Sequence, residues 1–115
     1  MLAGRNCAFD LDEALSIADG DRALLRELVD VFRSSYPGEL ASIQDAIRTG
    51  DAEALRVASH QLKGALGALA AGPARETALQ LEQIGRVADL SGAAAVYAEM
   101  ERQVRALDAA LSAWG

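Results

Sequence analysis

His60 is the only histidine in the chain, and Lys63, three residues later, is the only lysine. An imidazole offers a neutral nucleophilic nitrogen near neutral pH, and an ammonium group one helical turn away compensates negative charge brought to it. A lone exposed histidine is ordinarily an idle surface residue, and a lone lysine can simply reflect a chain that otherwise uses arginine. Their adjacency weakens both explanations. At about 100° per residue, Leu55, Ala58, Leu62, Ala65, Leu66 and Leu69 gather on one side of their helix, and His60 points almost opposite. Gly64 and Gly67 share the outward face with it, and Arg56 stands one turn before. Each glycine costs roughly 1 kcal/mol relative to alanine inside a helix. On an outward face helix packing gives no reason for that cost, so the spacing predicts a flat patch on which another protein's active site settles over His60.

The elements that position this patch are legible from breaks at residues 19–21, 49–51, 71–73 and 89–92, where glycine or proline stands beside a capping residue. They delimit helices predicted near 10–19, 22–48, 51–71, 73–88 and 91–113. The last shows its register most clearly, with Ala93, Tyr97, Met100, Val104, Leu107, Leu111 and Trp114 spaced four and three apart. Leu24, Leu28, Phe32, Tyr36, Leu40, Ile43 and Ile47 form the stripe of the second helix, where Pro37 removes a backbone donor and is expected to bend it. Ala74, Ala78, Leu81, Ile84 and Ala88 form that of the fourth. Short connections between long helices favour antiparallel neighbours. The expected fold is all-α: one domain over 1–115, an antiparallel up-down four-helix bundle with a short N-terminal helix across one end. A stripe on every helix lets a monomer bury its own core.

Composition narrows the function classes. With 115 residues, 51% hydrophobic, 4% aromatic and two prolines, the chain fits one helical domain and excludes an all-β fold. A net charge of −6 argues against a nucleic-acid partner, and the ten arginines are mostly interleaved with acids, as on solvated helix faces. Cys7 is alone, so neither an internal disulfide nor a cysteine-based metal site can form. No apolar run resembles a signal peptide or approaches a membrane span, which makes the cytoplasm the expected location. A carboxylate-bridged metal bundle needs repeated Glu-x-x-His pairs, but Val57 precedes the single histidine by three. Neither a glycine-rich phosphate loop nor the length for an ATP-binding domain is present, so intrinsic kinase activity is not expected.

His60-Gln61-Leu62-Lys63-Gly64, followed by small residues and Leu69, resembles the signature of histidine-containing phosphotransfer (HPt) domains. Phe9-Asp10 before a short helix, Gly20-Asp21 before a long one, and Leu81-Glu82 on the helix after the histidine extend the resemblance over most of the chain. The departures are Ala65, Leu66 and Ala70, where many members carry serines and a further glycine, and Ser59 where alanine is common.

The resemblance implies a phosphocarrier in a His-Asp two-component phosphorelay. His60 would accept a phosphoryl group from a receiver-domain aspartate and pass it to another receiver, with a sensor or hybrid histidine kinase upstream. The chain would need no cofactor of its own, since the receiver supplies Mg²⁺. Lys63 would compensate phosphoryl charge, with Arg56 a weaker candidate, because a mid-helix histidine has no helix N-terminus to help it. Gly64 and Gly67 would keep access open. Glu82, ahead of Gln83, would orient the imidazole, although a plain surface glutamate is an equal alternative at that position. Ile17, with Arg56 and Gly67, would contribute to receiver docking, while Leu11 and Leu15 are expected in the core. The competing reading is a non-catalytic adaptor that keeps the fold and binds receivers or kinases without carrying phosphate.

Overall fold

A computed structural model describes residues 8–114; Cys7 lies outside them. Five α-helices follow one another: α1 (Leu11–Ile17), α2 (Arg22–Thr49), α3 (Ala52–Ala68), α4 (Gly72–Val87) and α5 (Ala93–Trp114), the last entered through a 3₁₀ turn at Leu90–Gly92. Among the described residues there is no strand. Asp10, Asp21 and Asp51 cap α1, α2 and α3, each accepting a hydrogen bond from the backbone N–H three residues on. Gly50 closes α2 in the left-handed conformation, where its φ of 73° carries no Cβ penalty. At the end of α4 that conformation is taken by Ala88 instead, with φ 60°, and the helix stops within a residue of the predicted end at 88. Through Pro37 the second helix is continuous.

Helices α2, α3, α4 and α5 pack as successive neighbours, and α5 returns to α2. Between α3 and α4 the close approaches pair Gly67 with Arg75, His60 with Glu82 and Arg56 with Gly85. One number rises as the other falls, which marks an antiparallel pair. The same holds between α2 and α5, where Arg22 and Arg26 lie over Trp114 while Arg33 and Tyr36 meet Asp108. The first helix is tied to the turn after α3 by the Asp10 N–H, which donates to the Ala70 carbonyl at 3.1 Å.

The core is continuous through all five helices. On α3, Leu55, Leu62 and Leu66 are fully buried. Each contributes roughly 1.5–3 kcal/mol, more than the roughly 1 kcal/mol that each glycine of this helix costs. The apolar stripe predicted for α5 is buried from Ala93 to Leu111, and Trp114 is half-buried between two arginines.

The start of α2 departs from expectation by one residue. Leu25 and Val29 are buried, whereas Leu24 is 41% exposed and Leu28 only half-buried. The sequence there runs in apolar doublets, Leu24-Leu25, Leu28-Val29 and Val31-Phe32, so two stripes 100° apart both fit a helix. The core takes one and the other borders α3. On α4 the core face is Ala74, Ala78, Leu81 and Gly85; Ile84 is half-buried and Ala88 exposed. Leu11 and Leu15 are partly buried against the core, and Ile17 is 50% exposed.

Gly85 sets the separation of α3 and α4. A Cβ there would lie 2.7 Å from the Arg56 amide nitrogen, 2.8 Å from the Ala52 carbonyl oxygen and 2.9 Å from the Arg56 Cα, all backbone atoms that cannot rotate away. Gly85→Ala gains about 1 kcal/mol in helix propensity and loses about 1–3 kcal/mol to overpacking. The expected outcome is net destabilisation, read as a melting temperature lower by several degrees.

Candidate functional site

The His60 side chain is 62% exposed at the middle of α3, with its ring anchored from below. Its Nδ1 lies 3.1 Å from Oε2 of Glu82 on α4. Glu82 is only 1% exposed, so the position read as the flank of a stripe, with a surface glutamate as one option, is an interior one. The cause is the close α3–α4 approach at Gly85, one turn on, which draws the carboxylate beneath the outward face of α3.

A buried carboxylate is stable only if charge and hydrogen bonds replace its water. Glu82 has both. Lys63 Nζ is 2.7 Å from Oε1, and Arg86 Nη2 is 3.0 Å from Oε2, the oxygen that also faces His60. Lys63 foremost, then Arg86 and His60, hold the Glu82 carboxyl at about 2 against the upward push of burial. It is therefore ionised at any pH near neutrality. A carboxylate has no proton to give, so in this contact the imidazole Nδ1–H donates and the neutral ring keeps its lone pair on Nε2.

Lys63 stands beside His60 as the spacing predicts, yet its ammonium is already paired with Glu82. Arg86 is a partner of the site that its sequence position does not announce. Its signal was the Glu82/Arg86 spacing of four, acid before base, which reads as an ordinary solvated helix pair unless the acid is known to be buried. Arg56 is half-buried and forked onto Glu53 of its own helix, with contacts of 2.6 and 3.0 Å. Its backbone is what Gly85 packs against.

The two glycines are not equivalent. Around Gly64 a Cβ would meet nothing within 4 Å, and the residue is exposed on the His60 face. Gly67 is half-buried, and a Cβ there would come within 3.3 Å of the Arg75 side chain of α4. The antiparallel α4 reaches it through Arg75, a flexible and half-exposed side chain, so Gly67 is less open than Gly64. Ile17, on α1, is exposed. Ser59 is fully buried behind the histidine.

The sequence model of the Hpt domain family matches residues 27–113. Among solved structures, histidine-containing phosphotransfer protein B (HptB) from Pseudomonas aeruginosa PAO1 superposes with a TM-score of 0.85 at 25% identity, covering 93% of each chain. No protein of curated function matches significantly. Because the match spans most of α2 and nearly all of α5 and takes in His60 with every neighbour described around it, the chain belongs to the Hpt domain family.

Proposed function

We propose that the chain is a phosphocarrier of a His-Asp phosphorelay, taking a phosphoryl group from the aspartate of one receiver domain onto His60 and giving it to another. The observation that carries this reading is the exposed ring whose Nδ1 is held by a buried, ionised Glu82, which leaves the Nε2 lone pair facing solvent. Nε2 attacks the phosphorus of the aspartyl phosphate in line, the P–O bond to the receiver's carboxylate breaks, and the aspartate leaves as an anion. The Nδ1 proton stays on the ring against Glu82 throughout, so no proton needs to move in either direction. The receiver brings the acid, its Mg²⁺ and most of the stabilisation of the transferring group; this chain contributes a fixed acceptor.

Lys63 and Arg86 give Glu82 two cations for one negative charge, so the cluster carries a surplus positive charge when His60 is neutral. A phosphoryl group on Nε2 brings negative charge within reach of both. The long lysine and arginine stems allow either head group to turn from the carboxylate to the phosphoryl oxygens. Gly64 leaves the approach to the ring open.

The test is label transfer from a phosphorylated receiver in the presence of Mg²⁺, repeated over several receivers. Acid-labile label is expected on the wild type and none on His60→Gln; receiver binding without labelling of the wild type would instead make the chain an adaptor. Gly64→Ala is expected to separate stability from function. It raises helix stability by up to about 1 kcal/mol in thermal unfolding and slows transfer by roughly tenfold or more through obstruction of the approach. For Glu82, the folded carboxyl at about 2 lies below its ordinary value of 4.5. Its ionisation thus stabilises the fold fully above pH 4.5, and that contribution is lost as pH falls through about 2. Urea unfolding between those limits is expected to show a steep loss of stability in the wild type and a shallower one in Glu82→Gln.

A further inference from the structure

Stem length lets either cation of the cluster turn from Glu82 toward a phosphoryl group, so the choice between them rests on what each leaves behind. The two carboxylate oxygens are not equally provided for. Oε2 has two partners, His60 Nδ1 at 3.1 Å and Arg86 Nη2 at 3.0 Å. Oε1 is buried and faces Lys63 Nζ at 2.7 Å, with no further partner among the described residues. The two cations also differ in setting. The Lys63 side chain is 20% exposed, drawn down beside the carboxylate, whereas the Arg86 side chain is 61% exposed and reaches solvent as fully as the His60 ring does.

Phosphorylation changes the charge facing only one of those oxygens. The Nε2 lone pair forms the bond to phosphorus, the receiver's carboxylate leaves with the electron pair of the broken P–O bond, and the ring, still holding its Nδ1 proton, becomes a cation. Its contact with Oε2 turns from the hydrogen bond of a neutral donor into one between opposite charges, of the kind that Arg86 supplied there before. Oε2 then no longer needs the arginine. Nothing comparable happens at Oε1. Withdrawing Lys63 would leave a buried carboxylate oxygen without a partner, the costliest arrangement open to the cluster. The phosphoryl group meanwhile presents its oxygens on the solvent side of the ring, and a guanidinium matches two of them in a fork.

We infer that Arg86 is the cation that turns to the phosphoryl group on His60, while Lys63 stays on Glu82 as its standing counter-ion. This rests on the phosphocarrier reading of His60. The reaction itself drives the exchange of partners: the positive charge formed on the ring releases the arginine just when a phosphoryl group is there to receive it. Loss of the phosphoryl group neutralises the ring and returns Arg86 to Oε2. The role that adjacency to His60 suggests for Lys63 thereby passes to a residue of α4.

The experiment labels the whole chain with phosphoramidate, a small donor that needs no docking, removes the donor, and follows the lifetime of the acid-labile label beside the melting temperature of the unlabelled protein. Arg86→Gln is expected to shorten the lifetime roughly tenfold, the effect of one charge-assisted hydrogen bond. Its melting temperature is expected to move by no more than about two degrees, because the pair it breaks is largely exposed. Arg86→Lys restores most of the lifetime. Lys63→Met is expected to show the opposite balance: a melting temperature lower by several degrees, regained when Glu82→Gln is added, and a smaller loss of lifetime than in Arg86→Gln. An Arg86→Gln label as long-lived as that of the wild type would overturn the assignment, and this variant decides it even where Lys63→Met does not fold. So would a Lys63→Met chain that melts with the wild type, or one that loses as much lifetime as Arg86→Gln. A wild type that takes acid-labile label neither from phosphoramidate nor from any receiver would overturn the phosphocarrier reading itself.

Discussion

A carboxylate removed from water has to be met by charge, and Glu82 turns that requirement into the geometry of the site. It stands on one helix and gathers its partners from two: His60 and Lys63 from α3, Arg86 from α4. The contact at Oε2 fixes the ring's orientation and its tautomer together, so a single buried group decides both where the free nitrogen points and that it is the unprotonated one. The antiparallel register of α3 and α4, and the glycine that lets their backbones approach, bring that oxygen to 3.1 Å from Nδ1.

The site is rigid below and open above. Beneath His60 lie Ser59, Leu62 and the α4 face, all buried; above it Gly64 leaves space. Such a division suits a group that receives its reaction partner from another protein. Precision comes from the floor, access from the missing side chain, and the two cations sit at the boundary where they can face either way.

How much of this the sequence disclosed depended on whether a residue's environment is set by its own helix or by a neighbour. The outward direction of His60 and the buried face of α3 follow from leucines at three- and four-residue spacing, a property of one helix. So does the all-helical fold, whose stops are written in aspartate, glycine and proline. Periodicity could not choose between Leu24 and Leu25, because apolar doublets satisfy two registers and the choice belongs to the packing of α2 on α3. Glu82 was placed correctly on its wheel but not in depth: a helical wheel gives an angle, and burial is a distance to another helix. Arg86 went unremarked for the same reason, since a pair spaced by four is routine on a surface and significant only around a buried acid. At Gly67 the wheel likewise gives an outward angle and no distance, and the Arg75 side chain of α4 lies beside it.

The far end of the bundle has its own use. Trp114, the one tryptophan of the chain, lies with its ring 5.3 Å from the guanidinium carbons of both Arg22 and Arg26, joining the last turn of α5 to the first turns of α2. Cation–π contacts of this kind are broken when the two helix ends part. The protein thus carries an intrinsic optical reporter at the seam where its first long helix meets its last. Its emission follows closure of the helical ring directly, without any label near His60.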